Sequence, residues 1–145
     1  MRVELIESRH LKGVAALEAL CFTAPWSEQS LSLLLGEAAF GMVAVKTEAD
    51  TPVAYVGMMT VLDEGQITNV ATHPDYRRRG LAAAVLTALL AEARARGLAT
   101  VTLEVRESNA AAIALYEKHG FSVVGKRNHF YQNPREHALV MLCNL

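Results

Sequence analysis

Two side chains suited to proton transfer lie in the second half of the chain. Residues 100–106 alternate apolar and polar side chains, which places Glu104 on the face opposite the apolar layer. Asn109 and Tyr116 are seven residues apart, so they share one face of a helix, about 10.5 Å apart along its axis. A carboxylate takes a proton from an attacking group and a phenol gives one to a leaving group. We therefore predict acid–base chemistry here. The structural alternatives are a Glu104 that is exposed or salt-bridged to Arg106, and a Tyr116 that is a core aromatic with a satisfied hydroxyl.

A basic turn between a strand and a helix is the second informative segment. Arg77, Arg78 and Arg79 precede Gly80 and the alanine-rich segment that follows it. The first turn of a helix has unpaired N–H groups and a positive dipole end, which attract anions. Three arginines are unfavourable beside that dipole without an anionic partner, and Gly80 lets the backbone approach a bulky anion closely. The turn predicts a diphosphate site, and a solvated helix start is the alternative.

Composition and missing motifs narrow the possible functions. The 145 residues suit one domain over residues 1–145, and a hydrophobic fraction of 52% supplies a core without metal or disulfides. A formal net charge of −1 disfavours binding to nucleic acid or membranes through bulk charge, and no apolar run could span a bilayer. The absence of GxxxxGK[ST] and GxGxxG disfavours a P-loop nucleotidase and a Rossmann oxidoreductase.

The cysteines, the histidines and the N-terminal residues favour a metal-free cytoplasmic protein. Cys21 and Cys143 lack CxxC spacing, so we predict two reduced core thiols. None of the five histidines stands at metal-ligand spacing from another histidine, a cysteine or a carboxylate, so we predict no metal. The first seven residues are too acidic and too short a run for a signal peptide.

Periodicity and breaking residues predict a mixed sheet with helices on both faces, which is an α/β or α+β sandwich. Ser8, Ser27 and Ser108 are predicted to cap helices, and Gly57 is predicted to mark a bulge or a close approach of the backbone to another group. The predicted strands are 2–7, 40–46, 53–62, 65–72, 100–106, 121–127 and 137–143. The predicted helices are 9–20, a second one from Ser27 to Gly36, 78–96 and 109–119. The apolar face of the first is predicted to carry Leu11, Val14, Leu17 and Leu20, and the buried stripe of the third is predicted to be Leu81, Val85 and Leu89.

The basic turn resembles a known cofactor signature. Arg77-Arg78-Arg79-Gly80-Leu81-Ala82 is similar to the Q/R-x-x-G-x-G/A acetyl-CoA signature of the GNAT superfamily of N-acetyltransferases, with Ala82 as the less common last residue. In that family the loop wraps the CoA pyrophosphate, and the end of the preceding strand pairs with the pantetheine arm. The resemblance implies that acetyl-CoA contacts Val70, Ala71, Thr72, Arg78, Arg79, Gly80, Leu81, Ala82, Ala83 and Asn109.

The acid–base segment extends the resemblance. The pattern L-E-V-R-x-S-N-x-x-A-x-x-L-Y-x-x-x-G-F resembles the bacterial ribosomal-protein N-terminal alanine acetyltransferases within that superfamily, and Pro25-Trp26-Ser27 and Leu62-Asp63-Glu64 agree with it. In that group the glutamate is the general base and the tyrosine the general acid, which implies these roles for Glu104 and Tyr116.

The resemblance also implies a fold, a substrate and a mechanism. We expect a twisted mixed sheet whose two central parallel strands, 65–72 and 100–106, splay apart around the cofactor. The implied reaction is direct transfer from acetyl-CoA to the N-terminal alanine of a small-subunit ribosomal protein within a ternary complex. The implied acceptor-groove residues are Trp26, Phe130 and Tyr131.

The C-terminal segment leaves other acceptors open. The family usually has paired tyrosines after an arginine and a later E-D-A pattern, whereas this chain has Arg127-Asn128-His129-Phe130-Tyr131 and Glu136-His137-Ala138-Leu139. A small-molecule amine or a protein lysine therefore remains an alternative acceptor. A CoA-binding sensor without turnover is a third hypothesis, which the presence of both Glu104 and Tyr116 disfavours.

Overall fold

Seven strands and four α-helices make up the chain, and the computed structural model describes every residue from 1 to 145. The strands are β1 (Arg2–Leu5), β2 (Ala39–Lys46), β3 (Thr51–Val61), β4 (Glu64–Thr72), β5 (Thr100–Arg106), β6 (Phe121–Tyr131) and β7 (Glu136–Asn144). The helices are α1 (Leu11–Cys21), α2 (Glu28–Leu31), α3 (Leu81–Ala95) and α4 (Ala110–Lys118), with 3-10 turns at Ser8–His10, Ser32–Leu35 and Pro74–Tyr76. No helix is both long and apolar enough to cross a membrane.

The strands form one mixed sheet in the order β1-β2-β3-β4-β5-β7-β6. All neighbouring strands are antiparallel except β4 and β5, which run parallel. The parallel pairing covers only residues 64–66 of β4 and 100–102 of β5. Beyond that short ladder the two strands have no pairing with each other, so they separate and leave a cleft between them. This confirms the predicted splay of two central parallel strands.

A bulge lies where β4 leaves β5. Gly57 is opposite Asn69 and Met58 is opposite Ile67, so Thr68 is an extra residue in β4. A bulge bends its strand, which helps to turn β4 away from β5. A Cβ atom at Gly57 would lie 3.2 Å from the Leu34 side chain and 3.3 Å from Thr68 Oγ1. A bulge therefore lies opposite Gly57, with its extra residue on β4, and Gly57 is also a point of close approach.

Hydrophobic clusters cover both faces of the sheet. The larger cluster has 21 buried residues and includes Leu81, Val85 and Leu89, the predicted stripe of α3, packed with Met42 of β2. The smaller cluster has 11 buried residues. In it, α1 and α2 pack against the opposite face of β2, to which Val43 belongs. Successive strand residues point to opposite faces. The predicted sandwich with helices on both faces is confirmed.

Three predicted helix starts are wrong. Glu7, and not Ser8, caps the first helical segment, in a reciprocal pair with His10. Asn109, and not Ser108, caps α4, because its side chain accepts a hydrogen bond from the backbone N–H of Ala112. Helix α3 begins at Leu81, three residues after its predicted start, because the left-handed residue Gly80 precedes it (φ +74°).

Other boundaries differ in smaller ways. The final hairpin is longer than predicted, because β6 extends to Tyr131 and β7 starts at Glu136. On α1, Leu20 is 59% exposed although it was assigned to the apolar face, whereas Glu18 is 1% exposed. The Ser27 cap of α2 is confirmed by its hydrogen bond from the backbone N–H of Ser30.

Candidate active site

A cavity of about 700 Å³ opens where β4 ends and α3 begins. Nine of the ten residues that the resemblance assigned to the cofactor line this cavity: Val70, Ala71, Thr72, Arg78, Gly80, Leu81, Ala82, Ala83 and Asn109. The exception is Arg79, whose guanidinium group lies 4.9 Å from the centre of the Tyr76 ring. We call this space the donor cavity.

The start of α3 provides free backbone donors at one end of the donor cavity. The first N–H group that bonds back to Gly80 is that of Ala84, at 3.0 Å, so the N–H groups of residues 81–83 have no intrahelical acceptor. A Cβ atom at Gly80 would meet no atom within 4 Å, which shows open space beside the backbone. Arg78 lines the same space. Free N–H groups, a helix dipole and an arginine fit a diphosphate.

A second cavity of about 400 Å³ lies in the cleft where β4 and β5 separate. We call it the acceptor cavity. Glu104, Trp26 and Tyr131 line it. The two cavities adjoin, because they share five lining residues: Phe22, Val70, Asn109, Ala112 and Tyr116. The geometry therefore allows a group held in one cavity to react with a group held in the other.

Glu104 projects from β5 into the acceptor cavity with its side chain 13% exposed. Gln66 Nε2 donates to its Oε2 atom at 3.3 Å, and Arg127 Nε lies 3.5 Å from Oε1. Glu104 therefore does form a salt bridge, but with Arg127 and not with the predicted Arg106, which pairs with Glu136 instead. Glu104 is thus a largely enclosed carboxylate on the wall of the cavity, as strand alternation predicted.

Tyr116 stands where the two cavities meet. Its ring is 8% exposed and packs edge-on against Phe121, with ring centres 5.8 Å apart. Burial raises the pKa of its phenol to about 12, and the neighbouring Tyr131 adds to the shift. No protein group is hydrogen-bonded to the Tyr116 hydroxyl, which leaves it free to donate to a bound ligand.

Two of the three predicted acceptor residues line the acceptor cavity. Trp26 is half-buried on the loop between α1 and α2, and Tyr131 ends β6. Phe130 does not line the cavity, is 44% exposed and has the Arg127 guanidinium 5.4 Å from its ring centre. The Phe130 ring instead packs edge-on against the Tyr131 ring, with ring centres 5.1 Å apart, so it supports a cavity residue and does not line the cavity itself.

Several cavity residues were missed in the sequence. Glu18 and Asn69 line the acceptor cavity, and Cys21 lines the donor cavity with its thiol 3.4 Å from the carbonyl oxygen of Thr72. Cys21 is therefore not the core thiol that was predicted, whereas Cys143 is buried. A signal for Glu18 was present, since it follows Val14 by four residues and so lies on the apolar face of α1.

One cluster of potential metal ligands lies away from both cavities. His10, Glu4 and Asp50 bring their ligand atoms within 4.8 Å of one another, and His10 Nε2 is 3.0 Å from Glu4 Oε1. The sequence spacing did not reveal this histidine–carboxylate pair. Arg2 and Arg9 both form salt bridges with Glu4 and with Asp50. The two arginines therefore balance the negative charge of the two carboxylates.

Known proteins share this architecture. The model of the Acetyltransferase (GNAT) family matches residues 11–121. The [ribosomal protein bS18]-alanine N-acetyltransferase of Escherichia coli strain K12 is 38% identical over 141 residues, covering 96% of this chain and 94% of the relative. The crystal structure of the ribosomal-protein-S18-alanine N-acetyltransferase from Escherichia coli superimposes with a TM-score of 0.89 at 36% identity, covering 99% and 92% of the two chains.

A more distant structure shares the fold. Arabidopsis thaliana NAA60 in complex with acetyl-CoA superimposes with a TM-score of 0.87 at 16% identity, covering 99% of this chain and 98% of that one. The family match spans most of the chain, and the bacterial relatives match nearly all of it. This chain is an acyltransferase and belongs to the GNAT family of acetyltransferases.

Proposed function

We propose that this protein transfers the acetyl group of acetyl-CoA to the α-amino group of an N-terminal alanine, that of ribosomal protein bS18. The observation that carries the proposal is the meeting of the donor and acceptor cavities at Tyr116, with Glu104 on the acceptor side. The relatives named for this acceptor supply its identity. Membership of the family supplies the donor.

The donor cavity fits acetyl-CoA in two parts. The free N–H groups of residues 81–83, with Arg78 and Gly80, would hold the diphosphate. The end of β4, residues 70–72, would hold the pantetheine arm, because its polar backbone groups on the β5 side have no ladder partner. This path leads to the residues shared by the two cavities. An acetyl thioester there supplies an activated acyl group to an amine.

Glu104 in the acceptor cavity would act as the base, and Tyr116, where the two cavities meet, would act as the acid. Glu104, directly or through a water molecule, would take a proton as the amine nitrogen forms its bond to the acetyl carbon. Tyr116 would give its proton to the sulfur as the carbon–sulfur bond breaks. The high pKa of Tyr116 keeps this proton in place beforehand. Burial would also raise the pKa of the departing CoA thiol, so the pKa values of the Tyr116 phenol and of this thiol would lie closer together.

No covalent acetyl-enzyme is needed. Cys21 lines the donor cavity but not the acceptor cavity, and Cys143 lines neither. Both substrates have their own space, and the two spaces adjoin. We therefore infer direct transfer within a ternary complex.

An α-amine is a chemically easier acceptor than lysine. The α-amine has a pKa of about 7.7–8.0, against about 10.4 for lysine. At neutral pH lysine therefore needs about 3–4 kcal/mol more to reach its nucleophilic form. Glu104, which contacts Gln66 and Arg127, is better suited as a base for an α-amine than for a lysine side chain. The acceptor cavity of about 400 Å³, bounded by Trp26 and Tyr131, would admit the end of a chain more readily than a mid-chain loop.

Mass spectrometry of peptides tests the proposal. A peptide that begins Ala-Arg and contains an internal lysine is incubated with the enzyme and acetyl-CoA, beside the same peptide with a blocked N-terminus. We expect one acetyl group on the terminal nitrogen of the free peptide and none on the blocked one. Equal transfer to both peptides, with the label on lysine, would support a lysine acetyltransferase instead. Transfer only to small amines would identify a small-molecule enzyme.

A further inference from the structure

A buried carboxylate forms part of the wall of the acceptor cavity. Glu18 of α1 is 1% exposed and accepts three hydrogen bonds from different parts of the chain. The backbone N–H of Trp26 donates to Oε1 at 2.9 Å. The Tyr55 hydroxyl and Asn69 Nδ2 donate to Oε2 at 2.6 Å and 3.2 Å. A buried charge is costly unless it is hydrogen-bonded, and these donors satisfy it.

These contacts determine how the Asn69 side chain is oriented. A carboxylate oxygen only accepts hydrogen bonds, so the amide of Asn69 must turn its NH₂ group towards Glu18. The carbonyl oxygen Oδ1 then faces away from Glu18. No protein group donates to Oδ1, and protein does not enclose it. Asn69 lines the acceptor cavity, so Oδ1 is a free hydrogen-bond acceptor on its wall.

The Tyr55 hydroxyl, which also donates to Glu18, keeps its role as a donor. Tyr55 is 1% exposed, and burial together with its bond to Glu18 raises the pKa of its phenol. Tyr55 therefore keeps its proton and continues to donate. The bulge at Thr68 adds the residue that brings Asn69 opposite Gly57 at the point where β4 leaves β5. Backbone geometry thus sets the position of Asn69, and Glu18 sets the orientation of its amide.

We propose that Asn69 Oδ1 accepts a hydrogen bond from the amino group of the acceptor and that Glu18 is the positioning residue that holds Asn69 in this orientation. The inference rests on the proposed function, since it assumes an amine in the acceptor cavity. An amine bound through one N–H group has fewer orientations, which favours the approach of its lone pair to the thioester. Asn69 is a specificity residue for amines in this scheme, because an oxygen acceptor selects a donor.

Glu18→Gln reverses the hydrogen bonding with little change in shape. The glutamine oxygen can still accept from the Trp26 N–H, while its NH₂ group replaces Oε2. Asn69 then flips its amide so that Oδ1 faces the new donor, and its NH₂ group enters the cavity. Two donors now face each other when an amine binds. We expect the acceptor KM to rise roughly tenfold, as for the loss of a hydrogen bond to a charged group, while the acetyl-CoA Kd changes less than about twofold.

A double-mutant cycle tests whether Glu18 acts through Asn69. The acceptor KM and kcat are measured with the Ala-Arg peptide for Glu18→Gln, Asn69→Ala and the double variant. We expect the double variant to have the acceptor KM of Asn69→Ala alone. Glu48→Gln, at an exposed turn residue without an ion pair, is the matched control and should behave like the wild type. Multiplying effects, or a KM for folded Glu18→Gln within about twofold of wild type, would overturn the inference.

Two further readouts separate this role from a structural one. Trp26 is the only tryptophan, so its fluorescence reports on the loop and should be unchanged in Glu18→Gln. Hydrogen exchange of the ¹⁵N-labelled Asn69 amide needs no turnover: it should be slow in the wild type and fast in the variant. Fast exchange in the wild type would contradict the inference even if the peptide proved to be the wrong acceptor. A wild type that leaves the peptide unmodified contradicts the proposed function alone.

Discussion

The guanidinium group of Arg106 lies 4.4 Å from the centre of the Tyr131 ring and also binds the turn that follows that ring. It donates to the carbonyl oxygens of Gln132 and Pro134 at 3.0 and 2.9 Å, and to Glu136 at 3.3 Å. The last residue of β5 thereby fixes the tip of the β6–β7 hairpin. Since Tyr131 lines the acceptor cavity, this one side chain connects the strand that carries Glu104 to the far wall.

Replacing Arg106 with lysine should loosen that wall. A lysine ammonium is a point donor that cannot hold two carbonyls, a carboxylate and a ring face together. We expect Arg106→Lys to raise the acceptor KM about five- to tenfold, about 1–1.4 kcal/mol, with an unchanged acetyl-CoA Kd by calorimetry. Arg135→Lys is the control, because Arg135 is exposed on the same hairpin and forms no ion pair. Equal kinetics for the two variants would rule out this role.

Tyr116→Phe should abolish the proton donor and preserve the packing with Phe121. We expect kcat to fall about 10²–10⁴-fold, the usual range for one acid–base group, with little change in acetyl-CoA binding. Because the Tyr116 pKa is about 12, its ionisation should produce no loss of rate below that value in the free enzyme. Rates are measured by thiol release, at saturating peptide for kcat and at low peptide for kcat/KM, which reports the ionisation of the free enzyme. A loss of less than about threefold, with kcat independent of viscosity, would contradict the assigned role.

Gly80→Ala should weaken acetyl-CoA binding by filling the space beside the diphosphate. The same change at Gly97 is a matched control, since Gly97 also has a positive φ, at +82°, and open space around it, but lies at the other end of α3. Both variants carry a left-handed alanine, at a cost of about 1–2 kcal/mol. We expect the acetyl-CoA Kd to rise at least about tenfold, about 1.4 kcal/mol, for Gly80→Ala only. Equal loss in both variants would attribute the effect to backbone strain.

Glu4 should make the free energy of unfolding depend on pH. The hydrogen bond from Arg2, followed by those from His10 and Arg9, lowers the pKa of Glu4 from 4.5 to about 2. Between these values the unfolded chain binds more protons than the folded one, so Glu4 stabilises the fold above pH 4.5 and this stabilisation is lost as the pH falls towards 2.

The matching experiment compares urea unfolding of the wild type and of Glu4→Gln. We expect the variant to be less stable at about pH 7 and the difference in free energy of unfolding to shrink at about pH 3. Glu48→Gln, at a residue without an ion pair, should track the wild type at both values. A difference for Glu4→Gln that does not vary with pH would contradict the shift.

The sequence by itself determined the family, the mixed sheet and most of the donor cavity. These features depend on residues that are close together in the sequence. Gly80 directly precedes α3, and the alternation within β5 places Glu104 on the polar face. Spacing within one element fixes which side chains share a face, so such features can be read without knowing the fold. The same logic indicated a bulge or a close approach at Gly57.

Only the tertiary structure decided the acceptor wall. Glu18 and Asn69 are 51 residues apart in the chain, and Arg106 reaches Gln132 across 26 residues. Neither pair leaves a periodic pattern, because long-range contacts arise from the way α1 packs on β3 and β4 and from the pairing of β5 with β7. The orientation of Asn69 depends on a carboxylate from another layer of the fold. A hydrogen bond between distant segments exists only once packing has brought its two partners together.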